Sequence, residues 1–223
     1  MREFASTFQL LKGNQNRIEL HSSSWMKRLG FKSKGVFYMV LLVIDTQNAI
    51  TNSRLNNYDG FVSTVEKLIK AARENNVEVI YVRHDDGPGS ELARGTWGYE
   101  IYDKFAPLEG DKIVDKQFNS AFKGTDLLAY LKQKNEQELI IVGLQTDYCI
   151  DATIKSGFEH GFRIIVPAGG NTTVDNIYLS ASQTVEYFND FMWNGRYAMC
   201  VSLEETFHML INDLKEGDDF LFT

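Results

Sequence analysis

The sequence predicts a three-layer α/β sandwich built on a six-stranded, mainly parallel sheet of the Rossmann-like kind. Three observations carry this. Short unbroken runs of branched apolar residues recur along the chain, as strands covered on both faces require. Between them lie stretches with apolar residues at helical spacing. The two kinds alternate, which calls for parallel strands joined by right-handed crossovers packed on both sides of one sheet. The 223 residues, 43% of them hydrophobic, suffice for one sizeable core.

In chain order, MVLLVIDT (39–46) is the first strand and ends at Asp45. Residues 60–76 place Phe61, Val62, Val65, Leu68, Ile69 and Ala72 on one helical face. VEVIYVRH (77–84) is the second strand. Residues 85–111 then run without a regular period, and stretches of that length inside a domain tend to be functional or mobile. KIVDK (112–116) is a short third strand, followed by a helix over 125–134 with Leu127, Leu128 and Leu131 inward. LIIVGL (139–144) is the fourth strand, and 147–160 a helix striped by Ile150, Thr153, Ile154, Gly157 and Phe158. FRIIVP (162–167), a helix over 177–190, YAMCVS (197–202) and a closing helix over 203–214 complete the pattern.

Residues 1–38 stand apart. They hold seven Lys/Arg and two Asp/Glu, a net of +5 in a chain whose total is −7, and they show no clean period. Their apolar stretches are too short for a secretory signal. The segment reads as a leader: a targeting segment, a misassigned start or an expression-derived addition, with the α/β domain spanning 39–223. The acidic balance of that domain argues against a nucleic-acid partner. No apolar run approaches the roughly 20 residues that cross a bilayer, so no membrane partner is expected. Two cysteines, Cys149 and Cys200, form neither a disulfide framework nor a zinc pattern, which favours a reducing, cytoplasmic setting.

In open parallel sheets, ligands bind in the crevice beyond the carboxyl ends of the strands. Asp45 ends the first strand, His84 the second and Lys116 the third, and Cys149 follows the fourth. Each has a bland reading on its own: a turn former, a structural histidine, a solvated lysine, a small buried hydrophobe. Cys149 is set apart from Cys200, inside a strand, by its place in the first turn of a helix. Amides and dipole there are expected to lower a thiol pKa. An acid, a cation and a thiol on one sheet edge form a candidate centre for nucleophilic catalysis.

The combination of VIDTQN (43–48), Lys116 followed by NSAF (119–122), and VGLQTDYCI (142–150) resembles the isochorismatase-like cysteine hydrolases. This superfamily includes nicotinamidases, N-carbamoylsarcosine amidases and ureidoacrylate amidohydrolases, and the likeness covers residues 39–202. It implies Asp45 as base, Lys116 as its cationic partner and Cys149 as nucleophile. It also implies an oxyanion hole from the backbone amides of Gln145 and Cys149, with a cis peptide between Leu144 and Gln145. The implied reaction passes through a thioester and needs no cofactor.

Departures from the family narrow the substrate. The Asp-x-His metal pattern of nicotinamidases is absent after the second strand, where VRHDDG stands, so no zinc is expected and nicotinamide loses favour. True isochorismatases lack the cysteine. A small amide, ureido or carbamoyl compound remains. Gln47 either points its carboxamide into the pocket or caps a turn. Trp97 and Phe118 either flank a planar substrate or belong to the core. His84 either meets substrate or is structural. GGNTTVDN (169–176) reads as a flexible edge of the crevice.

Phe188, Phe191, Met192, Trp193 and FLFT (220–223) give more apolar surface than one helix face buries, so a homodimer or homotetramer is expected. Two rival classes remain. A phosphoacceptor receiver domain would need an aspartate where Lys116 stands. A catalytically silent relative, binding a metabolite or sensing oxidants through Cys149, would share the same triad.

Overall fold

The structure, a computed structural model, describes residues 38–212; the leader before Tyr38 and the FLFT segment lie outside them. Among the described residues there are seven strands: β1 (Met39–Ile44), β2 (Glu78–His84), β3 (Lys112–Lys116), β4 (Glu138–Leu144), β5 (Arg163–Pro167), β6 (Asn171–Thr172) and β7 (Met199–Val201). They form one sheet in the order β3-β2-β1-β4-β5-β7, with β6 laid against β4. Every strand pairing is parallel.

The α-helices are α1 (Tyr58–Glu74), α2 (Leu127–Gln133), α3 (Asp151–Glu159), α4 (Ala181–Glu186) and α5 (Leu203–Asn212). They cover both faces, because β1 is apolar on both. Met39, Leu41 and Val43 join Phe61, Val65 and Leu68 of α1 and Leu210 of α5 in one core. Val40, Leu42 and Ile44 join Leu127 and Leu131 of α2 and Ile154 of α3 in the other. Burying one such side chain stabilises the fold by about 1.5–3 kcal/mol. Among the described residues, no helix is long and apolar enough to cross a membrane.

The topology places the site. From β1 the chain winds outward through β2 and β3, then crosses back to lay β4 on the other side of β1. The strand order therefore reverses between β1 and β4, and the carboxyl ends of these two strands open the crevice where such folds bind ligands.

The structure departs from the expected elements in four places. The extra strand, β6, comes from GGNTTVDN, which is ordered rather than a flexible edge: Asn171, Thr172 and Thr173 are buried. The 85–111 segment is also folded. Its 3-10 turns Trp97–Tyr99 and Asp103–Phe105 bury Tyr99 and Phe105, and it zips onto the chain after β1 through Asn48 N to Glu100 O (2.9 Å), Ala49 N to Gly98 O (3.1 Å) and Tyr102 N to Thr46 O (2.8 Å). The helix expected over 177–190 begins at Ala181, because Ser180 and Gln183 form a capping box, and it ends in a π-helical stretch, Tyr187–Trp193. Within that stretch Trp193 is fully buried, its Nε1 donating to Asp151 Oδ1 at 2.9 Å. It therefore adds nothing to an exposed apolar surface.

Candidate active site

Lys116 is the hub of the crevice. Its strand is separated from β1 by β2, so about 10 Å lies between the two backbones at normal strand spacing. A long unbranched side chain is what crosses that gap. Lys116 Nζ donates to Asp45 Oδ2 at 2.7 Å, to Cys149 Sγ at 3.2 Å and to His84 Nδ1 at 2.8 Å. An ammonium has three protons, and each has one acceptor here. Asp45 and Lys116 are both buried.

Asp45 continues β1 by donating its N–H to Val82 O at 2.9 Å, then turns the chain at φ 51°, a region aspartate tolerates better than most residues. The carboxylate is left at the strand end with Oδ2 on Lys116 and Oδ1 free of hydrogen bonds. Burial pushes its pKa above the ordinary 3.8, against the opposing pull of the Lys116 ammonium and the Cys149 thiol.

Cys149 lies on a turn of unusual build. After β4, the Leu144–Gln145 peptide is cis, as the family resemblance implied. Thr146–Ile150 then form a π-helical turn, with Ile150 N donating to Gln145 O at 3.2 Å, before α3 begins. Short β6 and the residue after it fasten this turn from the side: Thr146 Oγ1 donates to Asn171 Oδ1 at 2.8 Å, and Thr173 Oγ1 to Asp147 Oδ1 at 2.7 Å. Gly143 sets the approach of β4 to β1. Its φ is +128°, and a Cβ there would sit 2.0 Å from Ile44 O, so only glycine allows the strands carrying Asp45 and Cys149 to come this close.

The electrostatics of the thiol correct one expectation. A helix start was expected to lower the Cys149 pKa. Instead burial, and next the neighbouring Asp45 charge, push it up to about 12, with Lys116 pulling the other way. The resting proton belongs to the sulfur, and Asp45 stands beside it to receive it.

Other candidate residues fall in mixed places. Gln47 does not offer its carboxamide to the crevice. Its Nε2 donates to His84 O and Tyr99 O, both at 2.9 Å, and its Oε1 accepts from His84 N at 2.8 Å. Its hydrogen bonds thus go to backbone. His84 is against Lys116. Trp97 is exposed, its carbonyl accepting from Asn48 Nδ2 at 3.1 Å, and Phe118 is half-exposed with Lys123 Nζ 4.2 Å above its ring. Among the described residues, neither ring stacks on another. Two residues were missed by sequence reasoning: Asp86, 2.8 Å from His84 Nε2, and Asn119, whose Oδ1 is 4.0 Å from Cys149 Sγ. Asn119 lies in the quoted NSAF run; nothing local singles out Asp86 from an ordinary turn.

Asp45, His84 and Cys149 each bring one ligand-type atom within 4.8 Å of the others. A metal does not suit this set as it stands, since the Lys116 ammonium already lies among all three. A cavity of about 660 Å³ opens beside the turn, lined by Gln145 together with Asn52, Arg54, Asn56 and Asp175. Gln145, at the start of the Cys149 turn, lines it, while Asp45, Lys116 and Cys149 do not.

Comparison with known proteins gives a consistent result. The isochorismatase domain family model matches residues 39–182. An isochorismatase family protein of Bacillus subtilis is 30% identical over 172 residues, covering 74% of this chain and 96% of that protein. A ureidoacrylate amidohydrolase of Agrobacterium fabrum is 28% identical over 157 residues, covering 53% and 69%. Among solved structures, an isochorismatase-family protein from Chromobacterium violaceum aligns with a TM-score of 0.73 at 25% identity, over 82% of this chain and 97% of that one.

Proposed function

The chain belongs to the isochorismatase family of hydrolases, and from that premise we propose that it is a cysteine-dependent amidohydrolase cleaving the C–N bond of a small amide, ureido or carbamoyl compound. One observation carries the reading: a single buried ammonium holds both the carboxylate of Asp45 and the sulfur of Cys149, at 2.7 and 3.2 Å. That is a base and a nucleophile poised around one fixed positive charge. The ureidoacrylate amidohydrolase activity of a relative supports the bond type.

Cys149 attacks the carbonyl carbon while its proton passes to Asp45. Because the thiol pKa is high, transfer and attack proceed together, so that negative charge moves onto the carbonyl oxygen as it leaves the sulfur. The amides of Gln145 and Cys149 receive that oxyanion, at the turn between β4 and α3. Asp45 then gives its proton to the departing nitrogen. A water, deprotonated by Asp45, attacks the thioester carbonyl; the acid is freed as the C–S bond breaks and Cys149 takes the proton back from Asp45. Lys116 holds Asp45 and Cys149 together at the start of the reaction. The cavity beside Gln145 accommodates the part of the substrate that does not react, and Trp97 and Phe118 are proposed to flank it.

The functional unit is proposed to be a homodimer or homotetramer. Ile177, Tyr178, Leu179, Tyr187 and Phe191 leave apolar surface uncovered, of the kind a second copy covers. The deciding experiment is a screen of small amides, ureido acids and carbamoyl compounds for ammonia release. A substrate turned over by the native protein and not by Cys149→Ala supports the assignment; no turnover across the panel defeats it.

A further inference from the structure

His84 stands between Lys116 and Asp86. Lysine brings only donors, so His84 Nδ1, 2.8 Å from Lys116 Nζ, accepts and carries no proton. The ring proton is therefore on Nε2, where Asp86 Oδ1 takes it at 2.8 Å. Gln47 grips the same residue by its backbone, accepting from His84 N and donating to His84 O.

We infer that Gln47, His84 and Asp86 form a positioning chain that aims the Lys116 ammonium at Asp45 and Cys149. Lys116 has a fully buried side chain and three N–H groups to satisfy. Two go to the reacting groups, and the third needs an acceptor that does not react. His84 Nδ1 is that acceptor, and it stops the ammonium from rotating about its terminal bond. Asp86 makes the arrangement single-valued: in the other tautomer, Nδ1–H would face an ammonium N–H, donor against donor. Gln47 fixes where the ring begins. None of the three needs to touch substrate.

The inference rests on Lys116 and Cys149 being the reactive pair, so its test uses a readout that requires no substrate. Labelling of Cys149 by iodoacetamide is followed by mass spectrometry in the native protein and in His84→Leu, His84→Asn and Asp86→Ala, beside kcat and KM on any amide the screen yields. Leucine offers no acceptor; asparagine returns an oxygen close to the place of Nδ1. His84→Leu is expected to slow labelling about tenfold, as an unsatisfied buried donor implies, and to lower kcat to match with KM unchanged. His84→Asn is expected to recover most of both. Asp86 is half exposed, so Asp86→Ala keeps the fold and slows labelling even where His84→Leu fails to fold. Native-rate labelling in both His84→Leu and Asp86→Ala overturns the inference. So does an asparagine variant no better than leucine, or a loss confined to KM, which would make His84 a substrate contact. A native protein that labels as described and hydrolyses nothing defeats the amidohydrolase reading and leaves this one standing.

Discussion

Gly143→Ala is the sharpest test of how the fold builds the site. The added methyl group would lie 2.0 Å from Ile44 O and 2.8 Å from Ile44 N and C. These are backbone atoms of a fully buried strand, so nothing can swing aside. Alanine at φ +128° costs about 1–3 kcal/mol in backbone strain, and overpacking costs about 1–3 kcal/mol more. The combined loss, about 2–6 kcal/mol, is a large part of the roughly 5–15 kcal/mol that holds a domain together. For a domain of this size it lowers Tm by on the order of 10 °C. Urea denaturation followed by tryptophan fluorescence measures the loss, with Gly161→Ala as control. Gly161 also has positive φ, at +90°, but its Cβ would meet nothing within 4 Å, so that variant carries the strain alone. If the two variants lose the same stability, the close approach of β4 to β1 is not what demands glycine, and the reasoning fails. The surviving folded Gly143→Ala is also expected to be impaired in turnover, because its β1 and β4 carry Asp45 and the Cys149 turn.

Asp45→Asn is expected to keep the native melting curve and lose turnover by about 10²–10⁴-fold, the range for a missing general base; retained activity removes Asp45 from that role. Asp45 works as its carboxylate and burial raises its pKa, so kcat/KM should fall as pH drops through a midpoint above 3.8; a limb at or below the ordinary value contradicts the assignment. Iodoacetamide near neutral pH should label Cys149 ahead of Cys200. Both thiols are pushed up to about 12, but Cys149 alone has Asp45 and Lys116 at hand, and equal labelling counts against it. EDTA should leave turnover unchanged, since the Lys116 ammonium already lies among the atoms a metal would need; a stoichiometric metal that sustains activity would reverse this.

The parts of the molecule written in apolar pattern were readable from the chain. β1 shows as an unbroken run because both its faces are covered, and the strand ends then locate Asp45, Lys116 and Cys149 without any structure. What escaped was built from polar contacts made across space. β6 consists of Asn171 and Thr172, whose side chains hydrogen-bond Thr146 in the turn after β4 and the Asn56 carbonyl, and leaves no hydrophobic trace. Asp86 matters through His84, and Gln47 through the His84 backbone, partners separated by packing rather than by spacing. The Cys149 pKa went the other way because proximity to a helix start is visible in sequence while depth of burial is not. Trp193 read as surface because its anchor, Asp151, is 42 positions away.

The ammonium at the centre of the crevice is a tethered counter-ion, and this has a consequence for redesign. Asp45, His84 and Cys149 offer an oxygen, a nitrogen and a sulfur within 4.8 Å of one another, a donor set that suits zinc once the thiol is deprotonated. Only a covalently attached charge, delivered by a lysine from two strands away, fills the space between them. Shortening that one side chain, as in Lys116→Ala, removes one hydrogen bond from each of the three donors and leaves them facing one another. The cation at this centre is thus set by the length of a side chain as much as by the ligands around it.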